Sequence, residues 1–277
     1  MADNRPLAGQ VAWVTGSSRG LGRVMASHLG RLGAAVAVHG TTPTSARAFG
    51  EAESLDQVAR DVAAETGARV LAVWGDLTDE GQVAAVVAKV RAELGRIDIL
   101  VANAGGDIGT AGAMGPRGGK PEHNDCVRIP VAEARAILDR NLLSCILVCR
   151  EVAPEMMARR SGRIVTIGSV AGLHGRAEGA MYATAKAAVH EYTRCLAAQL
   201  RPYDVAVNCI APGGTMTARF VATGQTEPEV LARGETLQGY GRAEDIARAV
   251  EFFVTEAGRH VSGQVLRVDG GAQLWPA

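Results

Sequence analysis

The chain has 277 residues, with 29 Lys and Arg against 29 Asp and Glu, so its formal net charge is zero; 47% of it is hydrophobic, 4% aromatic, and 34 residues are glycine. That length suits one large α/β domain. Zero net charge argues against attachment to nucleic acid or to an anionic membrane by bulk charge, and the hydrophobic content excludes disorder.

The stretch from Met1 to Gly9 has no apolar signal region, and nowhere does an apolar run approach the length of about 18 residues that a spanning helix needs. The cysteines are Cys126, Cys145, Cys149, Cys195 and Cys209; they form no C-x-x-C pair and their number is odd. Cys145 and Cys149 fall on one helix face and are expected to be small buried apolar residues rather than metal ligands. The expected setting is a reducing, cytoplasmic one.

Gln10 to Thr15 reads as a short apolar strand, and it runs through Gly16-Ser-Ser-Arg-Gly-Leu-Gly22 into a helical pattern. Glycines at a strand-to-helix turn let the backbone approach a pyrophosphate, and the helix N-terminus offers free N–H groups and a partial positive charge. Gly16, Ser18, Arg19, Gly20, Leu21 and Gly22 are therefore candidate cofactor contacts. The second strand, Ala35 to His39, is followed by Gly40, Thr41 and Thr42. A site selective for NAD usually places an acid here, to hold the ribose 2′-hydroxyl. None is present. Arg19 and the threonine hydroxyls suit a 2′-phosphate instead, which favours NADP(H) and leaves NAD(H) as the alternative. The polar loop that follows, near 42–54, opposes that preference if it brings Glu51 or Glu53 beside the ribose.

Leu55 to Thr66 reads as a helix and Arg69 to Trp74 as a third strand, ending at Asp76 and Leu77. Asp76 can accept a hydrogen bond from an adenine amino group or cap the helix that starts near Thr78. The helix Glu80 to Leu94 leads to the strand Ile97 to Val101 and then to Asn103, Ala104 and Gly105, where small residues let a cofactor lie on the sheet edge. The segment 105–130 is rich in Gly and Pro. Its His123, Asp125 and Cys126 match no closed metal site, so no metal is expected. A lid or a subunit contact is the favoured reading for so long a loop.

Val131 to Arg159 is helical, with Asn141 in its middle, where an amide has low propensity and is placed to break the helix locally and hold a water. The apolar run 163–168 reads as a buried strand, and Ser169 stands at its C-terminal end, where open α/β sheets keep their chemistry. In the following helix, which runs to about Leu200, Tyr182 and Lys186 lie four residues apart on one face. A phenol with its ordinary pKa of about 10 exchanges protons poorly at neutral pH, and a cation held beside it favours the phenolate. The strand Asp204 to Ile210 then leads to Pro212 and Gly213. The long polar segment Thr215 to Gly241 is placed to close over a substrate. A helix over 244–255 and a strand over 264–268 complete the chain. Strands and helices alternate without a repeat or a linker. That pattern predicts one doubly wound parallel sheet in a single domain, with long loops near 42–54, 105–130 and 213–241.

Over Leu7 to Gly271 the chain resembles the short-chain dehydrogenase/reductases. The motifs that carry the likeness are Thr15-Gly-Ser-Ser-Arg-Gly-Leu-Gly22, Asp76-Leu77, Asn103-Ala-Gly105, Asn141, Ser169, Tyr182-Ala-Thr-Ala-Lys186 and Ile210-Ala-Pro-Gly213. The glycine turn is similar to that of 3-oxoacyl-(acyl-carrier-protein) reductases. The resemblance implies a Rossmann fold and hydride transfer between a nicotinamide and a carbonyl or secondary alcohol. It implies Tyr182 as general acid/base and Ser169 as the group that orients and polarises the substrate oxygen. Lys186 would assist the phenol and hold the ribose, and Asn141 would anchor a relay water. Pro212 and Gly213 would pack on the nicotinamide, with Thr215 and Thr217 beside it and Thr217 on its carboxamide. It also implies a homo-oligomer, a tetramer. The loop at 105–130 is longer than is usual for the family and adjoins the substrate mouth, so an acyl-carrier-protein substrate does not follow; the loop at 42–54 is longer too and adjoins the 2′-phosphate site. An NAD-linked sugar, polyol or secondary-alcohol dehydrogenase is the runner-up reading. A non-catalytic nucleotide sensor or scaffold is the remote one, disfavoured because Tyr182 and Lys186 are both present.

Overall fold

A computed structural model describes residues 5–274; the first residues of the N-terminal stretch read above lie outside it. Seven strands form one sheet: β1 (Val11–Val14), β2 (Ala35–Gly40), β3 (Val70–Trp74), β4 (Ile99–Ala102), β5 (Gly162–Ile167), β6 (Val205–Pro212) and β7 (Val265–Val268). Their order is β3-β2-β1-β4-β5-β6-β7, and every pairing is parallel. A parallel sheet covered on both faces needs strands that are apolar throughout. The central runs Val-Ala-Trp-Val of β1 and Ile-Leu-Val-Ala of β4 are buried at every position.

The helices are α1 (Gly20–Arg31), α2 (Leu55–Thr66), α3 (Glu80–Leu94), α4 (Val131–Leu138), α5 (Ser144–Arg159), α6 (Ala180–Leu200) and α7 (Ala243–Val254). One core lies between the sheet and α1, α2 and α7, where Met25, Leu29, Leu55, Val250 and Phe253 pack on Ala12, Val14, Ile99 and Val101. The other lies under α3, α5 and α6, where Val86, Val90, Val148, Val152, Met156, Leu196 and Leu200 pack on Trp13, Leu100, Ile164 and Val207. Cys145 and Cys149 belong to this second core. Among the described residues no helix is long and apolar enough to cross a membrane.

The expected elements are present, with ends shifted by a residue or two. The helix read as continuous from Val131 to Arg159 is in fact α4 and α5 joined by one π-helical turn, Asp139–Leu143, with Asn141 buried at its centre. The cap of α3 also differs from one of the two readings of Asp76. Asp79 accepts from the Gln82 N–H at 2.8 Å and is the true N-cap. Asp76 instead accepts from the N–H and hydroxyl of Thr78, at 2.9 and 2.8 Å. The long loops are partly structured: 42–54 holds a 3₁₀ turn, Ser45–Phe49, and 213–241 holds two short helices, Ala218–Ala222 and Pro228–Leu231.

Strand order reverses between β1 and β4, and ligands of open α/β sheets bind beyond the carboxyl ends of the strands at such a point. The turns after β1, β4, β5 and β6 all converge there.

Candidate active site

A cleft of about 1150 Å³ opens over these strand ends. Every residue proposed above as a cofactor contact lines it: Gly16, Ser18, Arg19, Gly20, Leu21, Gly22, Gly40, Thr41, Asp76, Leu77, Asn103, Ala104, Gly105, Tyr182, Lys186, Pro212, Gly213, Thr215 and Thr217. Ser169 lines it as well, whereas Asn141 stands behind the wall.

The glycine turn is shaped by close contacts. A Cβ at Gly22 would lie 2.3 Å from the Gly16 carbonyl oxygen and 2.7 Å from Asn103 Nδ2, so only glycine lets α1 enter here. Asn103 fastens the turn from the β4 side, donating to the carbonyls of Thr15 and Gly16 at 2.9 and 3.1 Å. His39 fastens it from below. Its Nδ1 accepts from the Gly16 N–H at 3.1 Å, so the proton sits on Nε2, which donates to the Gly75 carbonyl at 3.1 Å. Burial pushes the pKa of His39 down to about 4, with the Gly75 bond acting the other way.

Helix α1 has no acidic residue in its first turn and no side chain capping it from the Ncap position. Its first N–H, that of Gly20, donates instead to Glu51 Oε2 at 2.9 Å. A carboxylate from the 42–54 loop thus sits where a helix end attracts anions. Arg19 turns to the same loop, donating to the Ser45 carbonyl at 2.6 Å and lying 5.4 Å from the Phe49 ring centre. Burial lowers the pKa of Arg19, and Glu51 opposes that shift. The residues present fit a phosphate-bearing dinucleotide, because the helix end already accepts an oxyanion from the protein's own chain.

At the inner end of the cleft, Lys186 is buried and donates from Nζ to the Ile167 carbonyl at 2.7 Å. The same Nζ lies 5.7 Å from the Tyr182 ring centre, as the four-residue spacing requires. Ser169 Oγ accepts from the Ala171 N–H at 3.1 Å, which leaves the hydroxyl proton free to donate. The Ser169 N–H in turn donates to His190 Nε2 at 3.3 Å, and burial, with the charges of Lys186 and Arg194, holds the His190 pKa down to about 4. Asn141 has both of its amide protons in use. Its Oδ1 accepts from the Gly106 N–H, and its Nδ2 donates to the carbonyls of Gly106 and Ile137, each at 2.8 Å. The π turn therefore presses the α4–α5 segment against the β4 exit loop.

Several cleft residues escaped the reading of the sequence. Arg140 follows Asp139 in the π turn, Arg219 stands two residues after Thr217, and Asp107 and Lys120 form an ion pair at 3.6 Å inside the 105–130 loop. His39 and His190 act as buried supports. No spacing marks these residues; only Arg140, beside Asn141, and His39, beside Gly40, lie next to a recognised position. The 105–130 segment forms a cleft wall, with Gly106, Asp107, Ile108, Met114 and Lys120 among its contributions.

Reversible hydride transfer at a carbonyl carbon needs a dinucleotide held by its phosphates and a proton-exchanging group beyond its nicotinamide end. The cleft joins an anion-accepting helix end to a serine hydroxyl, a phenol and an ammonium, and the class this arrangement fits is an α/β nicotinamide oxidoreductase. Sequence comparison narrows the class: residues 10–228 match the model of the family described as short chain dehydrogenase, and the chain belongs to that family. It is 38% identical to a cyclohexanol dehydrogenase of Rhodococcus sp. (strain TK6), over 98% of each chain. It is 32% identical to the 3-oxoacyl-(acyl-carrier-protein) reductase of Escherichia coli (strain K12), over 96% of this chain and 98% of that protein. Among solved structures, a 7α-hydroxysteroid dehydrogenase complexed with NADH and 7-oxo glycochenodeoxycholic acid superposes with a TM-score of 0.81 at 30% identity, covering 98% of this chain and 97% of the other. The chain is accordingly an NAD(P)-dependent oxidoreductase acting on CH–OH groups.

The two buried histidines give the fold an acid limit. Each has a folded pKa of about 4, below the ordinary value of 6.5, so the neutral form is the one the fold stabilises. Their contribution is complete above pH 6.5 and is lost as pH falls through 4, by up to about 3 kcal/mol for each histidine. Thermal melting in a pH series is expected to show a steep fall in that window, shallower in His39→Gln. A midpoint that stays flat from pH 7 to about pH 4 would contradict the buried neutral histidines.

Proposed function

We propose that the protein interconverts a secondary alcohol and a ketone with NADP(H) as the favoured cofactor, in a 3-oxoacyl-reductase-like reaction. The observation that carries the reading is the grouping of Ser169, Tyr182 and Lys186 at the inner end of the dinucleotide cleft. Cyclohexanol dehydrogenase among the relatives supports a substrate with a ring-borne or otherwise simple secondary alcohol.

Gly16, Ser18, Gly20, Leu21 and Gly22 would hold the dinucleotide phosphates, Asp76 and Leu77 the adenine, and Asn103 to Gly105 the adenosine side of the cleft. Pro212, Gly213, Thr215 and Thr217 would border the nicotinamide. When bound, the nicotinamide supplies or accepts the hydride. Tyr182 gives its phenolic proton to the carbonyl oxygen in reduction and takes the hydroxyl proton back in oxidation. Ser169, whose Oγ already accepts from the Ala171 N–H, donates its own proton to the same substrate oxygen and fixes its position. Lys186, held by the Ile167 carbonyl, would place its ammonium beside the phenol and hold the ribose of the bound cofactor. Both Asn141 Nδ2 protons are committed, so anchoring a relay water falls to its oxygens, the second lone pair of Oδ1 or the main-chain carbonyl in the π turn.

The cofactor preference rests on Arg19, Gly40, Thr41 and the absence of an acid at the end of β2. Glu51 is the specific observation that favours a second reading, an NAD-linked alcohol dehydrogenase. A carboxylate at the Gly20 N–H repels a 2′-phosphate and can accept from ribose hydroxyls instead.

Partly exposed apolar residues on the α5 and α6 side, among them Leu143, Ile146, Leu147, Met181 and Tyr192, support a homo-oligomer, proposed as a tetramer. Sedimentation at micromolar concentration is expected to show a species of several chains; a lone 28.8 kDa species would contradict it.

Tyr182→Phe removes the exchangeable proton and keeps the ring. Turnover is expected to fall by about a thousandfold or more while NADPH and NADH still bind, and a variant with wild-type turnover would remove the acid/base role. That measurement also separates an enzyme from a nucleotide sensor, which would be indifferent to the substitution.

Cofactor choice is decided by kcat/KM for NADPH and NADH in the wild type, Arg19→Ala and Glu51→Gln. The expected wild-type ratio favours NADPH by about tenfold or more, with Arg19→Ala closing most of the gap and Glu51→Gln widening it. An NADH preference that Glu51→Gln abolishes would establish the second reading.

A further inference from the structure

Among the described residues two cleft guanidiniums, those of Arg140 and Arg219, make no ion pair. Arg140 lines the cleft from the π turn, and its Nε is buried without a partner. Among the described residues its guanidinium makes no hydrogen bond and no ion pair. Arg219 lines the cleft from the short helix Ala218–Ala222. Its side chain is clamped in place. One terminal nitrogen donates to the Asp107 carbonyl at 2.8 Å, and a Cβ on Gly106 would lie 3.4 Å from its Cζ and Nη1. Its Nε, too, is buried and unpartnered.

The carboxylate that could neutralise Arg219 is turned elsewhere. Asp107 Oδ2 accepts from Asn124 Nδ2 at 2.8 Å and pairs with Lys120 at 3.6 Å, its buried Oδ1 makes no hydrogen bond, and Arg219 is bonded to the Asp107 main-chain oxygen rather than to the carboxylate. The two arginines are also close enough to act on one another. Burial lowers the pKa of Arg219, Tyr182 and Asp107 oppose the shift, and Arg140 adds to it; both arginines act in the same direction on Arg19. Half-buried like charges with unused donors are destabilising unless an oxyanion joins them, and the guanidinium fork is shaped to take one with two parallel hydrogen bonds. Arg219 packs against Gly106, and a Cβ on the adjacent Gly105 would lie 3.4 Å from Lys186 Nζ, so an oxyanion held here lies near the inner end of the cleft.

We infer that Arg140 and Arg219 form a clamp for an oxyanion of the bound ligand, set in the cleft between the glycine turn and Tyr182. The inference rests on the oxidoreductase reading above and adds to it a ligand chemistry: a phosphate or carboxylate oxygen. Two sources offer that chemistry, the pyrophosphate of the dinucleotide and a carboxylate on the substrate.

The test uses Arg140→Gln, Arg219→Gln and the corresponding lysine variants in the full chain. NADPH and NADH are titrated by fluorescence without substrate, and kcat/KM is measured with cyclohexanol and with 4-hydroxycyclohexanecarboxylate, which differ by one carboxylate. If the cofactor supplies the oxyanion, both glutamine variants raise the cofactor Kd by about tenfold or more. If the substrate supplies it, the carboxylate-to-neutral ratio of kcat/KM falls by about tenfold or more while cofactor Kd holds. In either case the lysine variants recover part of the loss. Glutamine variants that melt like the wild type and leave both quantities within about twofold overturn the clamp. Should a glutamine variant fail to fold, the lysine variants and the salt dependence decide: wild-type affinity for both the dinucleotides and the carboxylate that is indifferent to NaCl overturns it equally. A wild type that turns over neither alcohol removes the proposed substrate class alone. The clamp is then judged by the cofactor titrations and by calorimetric titration of the two compounds.

Discussion

Helix α1 leaves the sheet at a point where there is no room for a side chain. The missing Cβ of Gly22 lets the helix start against the Gly16 carbonyl and the Asn103 amide. That contact sets the angle at which the helix dipole faces the cleft, and the rest of the site is arranged around it. Asn103 and His39 hold the turn from two neighbouring strands, so the glycine loop is fixed by β2 and β4 as much as by its own sequence. The parallel order then supplies the other end of the cleft. β5 runs beside β4 and delivers Ser169 at its tip, and the helix that follows returns with Tyr182 and Lys186 on the inward face. A cofactor-sized cleft with a proton-exchanging end is the geometric result of these two contacts.

Much of this was legible in the residues. Strands buried on both faces must be apolar at every position, and runs such as Ile-Leu-Val-Ala can be read without knowing their neighbours. The Tyr182–Lys186 spacing is local, and a helix turns it directly into a contact. Asn141 was marked because an amide is out of place in mid-helix, and the π turn is the form its disruption takes. The cleft lining could be assembled as well, because all of its motifs but Tyr182–Lys186 follow closely on a strand.

What could not be read depends on loops meeting at a distance. Glu51 reaches the Gly20 N–H across 31 positions, and nothing in the polar stretch around it distinguishes it from Glu53, which pairs with Arg47 instead. Arg219 meets the Asp107 carbonyl across 112 positions. Asp107 and Lys120 look like ordinary surface charges in a glycine-rich segment, yet their side chains are only 10% exposed. Charge in an aperiodic loop carries no signal of where it will be buried; such contacts follow from packing. The residues proposed to set ligand choice are therefore those least visible in the sequence, while those proposed to do the chemistry are the most visible.

The bond from Lys186 to the Ile167 carbonyl has a consequence of its own. The ammonium is tied to the last peptide of a central strand, which is among the stiffest parts of any α/β protein. Its field at the phenol is therefore present as soon as the chain has folded, and no dipole has to swing into line when a ligand arrives. An electrostatic environment set in advance in this way lowers a barrier without a reorganisation penalty at the moment of reaction. The molecule thus separates a charge built into the sheet from the loops at 42–54 and 213–241, which line the cleft from outside it.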